Sequence, residues 1–275
     1  MNELEPKPNK KIALCFIISY KHLLNKEHIW REWIEPNKDI INVYFHYKNF
    51  SQIQSPWIRQ FAIPTEYIAK TSYFHVVPAY MNLIKFALIH DTNNQWFCFL
   101  TDSCVPIIPP LQFRQTFIQH QHFSIMKWKP SWWNIDFNKR ANLRLLQKEY
   151  HLANDPWFIL KREDALVCIK YSIVNNKIFN SICSGIIANE SVFAIILTVF
   201  GQCSSSNVIN ETTHITDWEN MSSSTSPYIF KNGDKREMDF ILKSLQKNKY
   251  NMFLRKVDSR FPDAILSYFL STTLL

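Results

Sequence analysis

The stretch Trp96-Phe-Cys-Phe-Leu-Thr-Asp-Ser-Cys-Val-Pro106 opens on an unbroken apolar run of strand length and breaks at Asp102. A run without polar alternation belongs to a strand covered on both faces, the condition of central strands in a parallel sheet. The pattern recurs upstream. Ile12-Ala-Leu-Cys-Phe-Ile-Ile18 is a second such run and residues 40–45 a third. Between them lie helical stretches: residues 27–35, polar and Trp-containing, and residues 76–90, with apolar side chains at three-to-four spacing. Strand–helix–strand alternation predicts an α/β fold with a mainly parallel mixed sheet flanked by helices.

The second half is less regular. Residues 162–171, 191–200, 234–245 and 261–270 read as helices, and residues 214–218 and 252–254 as short strands. Pro106, Pro109 and Pro110 mark a loop. At ~150 residues per domain, the 275-residue chain fits one large domain, expected over residues 11–275 after a flexible, polar segment 1–10.

Composition excludes several classes. A chain with 47% hydrophobic and 15% aromatic residues is not disordered. Its glycines are Gly185, Gly201 and Gly233. Dinucleotide fingerprints and phosphate-cradling loops need clustered glycines, so neither is present. Any phosphate must be held largely by side chains. The formal charge of +8 suggests an anionic partner, whether nucleic acid, a headgroup or a phosphorylated small molecule, or else a basic but inert surface. No Lys/Arg run reads as a nucleic-acid arm, although Trp132-Trp133 with Lys127, Lys129 and Lys139 could form an acceptor wall or stack on bases. The six cysteines show no CxxC, no His/Cys spacing supplies a zinc site, and no Asp-x-Asp pair occurs. The apolar stretch 12–18 is too short to span a bilayer and lacks signal-peptide flanks, so a soluble, intracellular, reduced protein with no transmembrane segment is expected.

Ligands of open α/β sheets sit beyond the carboxyl ends of the strands. The residues to question are therefore Ser19-Tyr20-Lys21, His46-Tyr47-Lys48, Asp102-Ser103 and Arg255-Lys256.

The order of blocks resembles one known family. The segment from Trp96 to Pro106 is similar to the strand-plus-"S-E-S-C-x-P" block of the core-2/I-branching β-1,6-N-acetylglucosaminyltransferases, their plant relatives and the peptide O-xylosyltransferases. Asp155-Pro-Trp-Phe158 followed by Lys161-Arg-Glu163 resembles "K-G-S-Q-W-F-x-x-x-R-E", and Ala188-Asn-Glu-Ser191 stands in the place of "S-P-D-E". The stretch from Asn210 to Asp217-Trp218 is similar to "N-R-T-x-x-Y-V-D-W", and Phe253-Leu-Arg-Lys-Val-Asp258 to "F-A-R-K-F". The likeness runs over residues 10–270.

The resemblance implies a GT-A type domain. It also implies metal-independent, inverting transfer of a sugar, N-acetylglucosamine or xylose, from a UDP-sugar to a hydroxyl of a glycan, glycoprotein or other acceptor. Glu190 matches the family's base. A preceding Asn189 cap and the helix amino terminus would favour its ionised form. Lys256 matches the diphosphate lysine, with Arg255 and Arg236 as seconds, while Lys235 and Arg236 read equally as an exposed helix start. Trp218 and Asp217 stand where acceptor contacts lie, and Ser19, His46 and Asp102 on the nucleotide side. No cofactor, no metal and no nucleic-acid partner is expected. Glu163 with Arg162 reads equally as capping and a local ion pair.

Two positions depart from the family. His46-Tyr47-Lys48 replaces "H-V-D", so a lysine stands where a carboxylate is expected. Thr225 stands where animal members carry an arginine, a loss that Lys231 or Arg236 could fill. Both departures fall on donor binding, which keeps open an alternative: a nucleotide- or carbohydrate-binding relative without catalysis.

Overall fold

The run around residue 14 forms β1 (Lys11–Ile17), which lies between two parallel neighbours, β2 (Ile41–His46) and β3 (Asn94–Thr101). Successive side chains of a strand point to opposite faces. Ile12, Leu14 and Phe16 accordingly enter one core, and Ala13 and Cys15 another. β3 divides in the same way, with Trp96, Cys98 and Leu100 on the first face and Phe97 and Phe99 on the second. Double burial explains the missing polar alternation. The computed structural model describes residues 10–136 and 139–272. Of the expected flexible segment 1–10, residues 1–9 lie outside the described residues.

α1 (Glu27–Ile34) covers the first face with Trp30 and Trp33, whose indole N–H groups donate to Cys104 O at 3.0 Å and Ile108 O at 2.8 Å. The short α2 (Pro56–Gln60), with Ser55 as N-cap, packs on the same side. α3 (Val77–His90) covers the second face through Leu83, Ile84 and Ala87. Beyond β3 the chain forms β4 (Val105–Pro106), α4 (Pro110–His120), β5 (Ser124–Ile125), β6 (Trp128–Pro130), β7 (Leu152–Asn154) and β8 (Ile159–Lys161). α5 (Arg162–Val174), α6 (Asn176–Cys183) and α7 (Val192–Val199) join the second face, and β9 (Val208–Ile209) returns to the sheet.

β8 runs antiparallel to both β3 and β5, and β9 parallel to β5, giving a 6-stranded sheet in the order β2-β1-β3-β8-β5-β9. β6 and β7 pair separately. A smaller sheet joins β10 (His214–Ile215), β11 (Phe253–Leu254) and β4, with α8 (Lys235–Lys247) and α9 (Asp263–Ser271) beside it on the first core.

The mixed α/β architecture agrees with the sequence reading, with two corrections. The strand expected over residues 214–218 contracts to His214–Ile215 and leaves Asp217 and Trp218 beyond it. The proline loop is partly structured. Val105–Pro106 pairs with β11, and Pro110 opens α4, where a missing N–H costs nothing. Among the described residues no helix is long and apolar enough to cross a membrane.

Candidate active site

The turns that follow β1, β3 and β11 are bound to one another. Asp102 Oδ2 accepts the Ser19 N–H at 3.0 Å, and Asp102 O accepts the Asn25 N–H at 2.8 Å. Asn25 Nδ2 donates to Val257 O at 2.7 Å, while the Val257 N–H donates to Ser103 O at 2.9 Å. The Arg255 guanidinium donates to Ser103 Oγ at 2.7 Å and to Thr101 Oγ1. Ser19, Asp102, Arg255 and Lys256 are thus brought together at the carboxyl ends of the strands. Lys256 Nζ donates to Ser226 Oγ at 2.8 Å. Burial and the neighbouring Arg255 lower its pKa, with Asp102 opposing.

Lys256 owes its place to a distant carboxylate. Its carbonyl accepts the Phe230 N–H at 2.8 Å. The loop carrying Phe230 is held by buried Glu237, which accepts from the Tyr228 hydroxyl at 2.9 Å and from the amides of Lys231, Asn232 and Gly233 at 3.0, 3.0 and 2.6 Å. Gly233 has φ 64°, and a Cβ there would run into Ile265.

His46 takes a supporting place. It is 1% exposed, and its Nε2 accepts the Ala69 N–H at 3.1 Å. Burial, helped by Lys48, lowers its pKa to about 4, so the ring stays neutral and pins the loop at residue 69. Lys48, the departure from the family, donates to Thr71 O and to Thr71 Oγ1.

The carboxylate side is built around the end of β7. Glu190 closes the turn Ala188–Glu190 ahead of α7. The expected Asn189 cap is not formed. α7 starts at Val192 without a side-chain cap, and the Asn189 carbonyl instead accepts Asn154 Nδ2 at 3.0 Å. Asn154 Oδ1 accepts the Ala194 N–H at 3.2 Å, stitching β7 to the start of α7. Arg140 Nη2 lies 3.3 Å from Glu190 Oε2, and its guanidinium rests 4.6 Å from the Trp133 ring centre. Burial raises the Glu190 pKa to about 6, with Arg140 opposing and Asp155 adding to the rise. Burial thus outweighs the helix-terminus effect expected from sequence.

Tyr80 links the two sides. Its hydroxyl donates to Pro156 O at 2.6 Å. Burial raises the phenol pKa; the charge of Arg255 opposes that rise and the charge of Glu190 adds to it.

The aromatic candidates divide. Trp218 is 46% exposed and stacks on buried Trp157 at 6.5 Å and 19°, and Arg255 sits 4.3 Å from the Trp157 ring centre. Trp132, 62% exposed, meets Trp133 edge to face at 4.9 Å with Lys129 Nζ 4.2 Å from its ring centre.

Asp217 is bonded within the protein. It is 1% exposed and accepts the amides of Glu219 and Asn220 at 3.1 and 3.0 Å and the Arg236 guanidinium. Burial works against ionisation, yet these donors hold its pKa below the ordinary carboxylate value. It anchors the turn at residue 220. Arg236 is correspondingly engaged with Asp217 and rests 4.2 Å from the Tyr228 ring centre. It lines a cavity of about 530 Å³ together with Lys231 and Arg260, and neither Glu190 nor Lys256 borders that cavity. Glu163 is exposed in the first turn of α5, while Arg162 donates to Asn94 O at 3.2 Å, so the two form no local pair.

Arg140, Tyr80 and Asp155 were not singled out from sequence. Only Asp155 lay in a recognisable block; the others are placed by tertiary contacts that no local pattern encodes. A family model described as Branch, Core-2/I-Branching enzyme, matches residues 14–241. That stretch takes in Glu190, Asp217 and Trp218 and ends before Arg255 and Lys256. No curated protein matches the chain.

Proposed function

The chain belongs to the core-2/I-branching enzyme family, a family of glycosyltransferases, and on that premise we propose that it moves a sugar, N-acetylglucosamine or xylose, from a UDP-sugar to an acceptor hydroxyl, with inversion and without a metal ion. The fold is read as a GT-A type domain, with the donor beyond the carboxyl ends of β1 and β3. The acceptor is a hydroxyl of a glycan or glycoprotein, seated against the exposed Trp218 ring, whose apolar face suits that of a sugar.

Ionised Glu190 removes the proton of the acceptor hydroxyl as its oxygen bonds to the anomeric carbon. The bond from that carbon to the diphosphate breaks on the opposite face, the electron pair leaves with UDP and the proton stays on Glu190. A carboxylate titrating at about 6 is well matched to this task, because base strength and ionisation are both retained near neutral pH. Charge developing on the diphosphate meets Lys256, with Arg255 beside it. A unit charge at ~4 Å and an effective dielectric of ~20 contributes on the order of 4 kcal/mol, or up to about three decades of rate. The Asp-x-Asp pair that would hold a divalent ion is missing from the sequence.

The reading is supported by the family match over residues 14–241, which takes in Glu190 in the turn ahead of α7 with Arg140 at 3.3 Å. Its test is release of free nucleotide from a panel of nucleotide-sugars, with and without glycan acceptors and EDTA. Acceptor-stimulated release from a UDP-sugar, indifferent to EDTA and lost in Glu190→Gln, is expected. Loss on chelation overturns metal independence, and near-normal transfer by Glu190→Gln overturns the assignment of the base.

A further inference from the structure

The cavity of about 530 Å³ at the amino end of α8 is bordered by neither Glu190 nor Lys256. Three cations line it, Lys231, Arg236 and Arg260, against a single carboxylate, Asp258. That carboxylate is spent on Arg260. Its Oδ1 accepts the Arg260 N–H at 3.0 Å and Nε at 2.8 Å, and its Oδ2 accepts Nη2 at 3.2 Å. Among the described residues, no carboxylate pairs with Lys231, although its backbone N–H is fixed on Glu237 at 3.0 Å.

Arg236 is held from behind. Its Nη2 donates to buried Asp217, and its guanidinium lies 4.2 Å from the Tyr228 ring centre. That ring is fixed in turn, its hydroxyl donating to Glu237 at 2.9 Å. A guanidinium held on two sides keeps the rest of its fork oriented for an oxyanion at little cost in rotamer freedom. The same wall reaches the exposed Trp218 through one turn. Asp217 accepts the amides of Glu219 and Asn220, and Asn220, two residues beyond Trp218, lines the cavity.

We propose that this cavity is an anion subsite of the acceptor, taking a sulfate or phosphate ester on a glycan whose sugar ring rests on Trp218. This rests on the reading of Trp218 as the acceptor seat. A tetrahedral oxyanion offers oxygens to all three cations, and charge-assisted hydrogen bonds of this kind are the strong ones. A neutral sugar would leave Lys231 without a counter-charge. The subsite gives the anionic partner suggested by the formal charge of +8 a definite place.

The test is calorimetric titration of the full chain with galactose, galactose 6-sulfate, galactose 6-phosphate, inorganic sulfate and UDP. At least one ester is expected to bind about tenfold more tightly than galactose, the worth of one charge-assisted hydrogen bond, and to weaken as salt is raised. The tighter of the two tells sulfate from phosphate. Lys231→Gln and Arg260→Gln are each expected to lower ester affinity about tenfold and to leave UDP affinity unchanged. Trp218→Ala is expected to weaken the ester without affecting inorganic sulfate. Equal binding of galactose and both esters, or an unmoved ester affinity in Lys231→Gln and Arg260→Gln, overturns the subsite. Displacement of the ester by UDP assigns the cavity to the donor and overturns it too, as does ester affinity that ignores Trp218→Ala. None of these titrations needs turnover: if no UDP-sugar is consumed with any acceptor, the transferase reading fails while the anion affinity stands.

Discussion

The Arg140 guanidinium lies 3.3 Å from the Glu190 carboxylate while resting on the Trp133 ring, so the cation that favours the ionised form of Glu190 is itself held by an aromatic face. Removing it leaves burial and Asp155, which both raise Glu190, without their counterweight. Arg140→Gln is therefore expected to move the acid limb of kcat/KM upward from about 6. A pH–rate profile of the variant checks this, and a downward move contradicts it.

The same group carries a stability prediction. Glu190 titrates at about 6 in the fold against an ordinary value of 4.5, so the fold favours its protonated form. Its contribution is fully present below the unfolded value and is lost as pH rises through about 6. Between about pH 4 and pH 8, the stability of the unaltered protein should fall relative to Glu190→Gln by on the order of 2 kcal/mol. Urea unfolding of both proteins at the two pH values measures it.

Lys256 and Arg236 separate catalysis from architecture. Lys256→Gln should lower kcat by about two to three decades, the effect of removing one charge from the departing diphosphate. Arg236→Gln should leave kcat within a few-fold and lower stability, because it leaves buried Asp217 with one donor fewer. Steady-state kinetics and thermal melts of the two variants distinguish the cases, and a similar loss of kcat in both would remove the assignment.

Trp218 and Trp157 are stacked yet differ in exposure, 46% against 8%. Trp218→Ala is expected to raise KM for the acceptor with little change in unfolding midpoint. Trp157→Ala should cost about 3–5 kcal/mol of stability, as for a large buried aromatic. Acceptor titrations combined with denaturant curves test both.

The long elements were legible because their patterns are local. Uniform apolar runs fixed β1, β2 and β3, and three-to-four spacing fixed α3. The strands β5, β9 and β10 span two residues each, too few for any period, and arise from pairing partners far along the chain. Pro110 was read as a breaker although it begins α4, since proline both ends and starts helices. At the site, Glu190, Lys256 and Trp218 were singled out through family blocks, and Trp218 is exposed and stacked on Trp157. The bonding of Asp217 within its turn was not legible, because an Asp beside a Trp looks alike in sequence whether it faces a ligand or caps a turn. Arg140 and Tyr80 were invisible for a deeper reason: each matters only because the fold sets it against Glu190 or Pro156.

Glu237 holds the loop at residues 228–233, and that loop holds the carbonyl of Lys256, so the place of Lys256 is set in part from the amino end of a helix. The segment is a cassette, anchored at one carboxylate and one glycine. Its contents can be exchanged while the framework strands stay as they are, so a directed library confined to those few positions is the economical way to move Lys256 without disturbing the sheet.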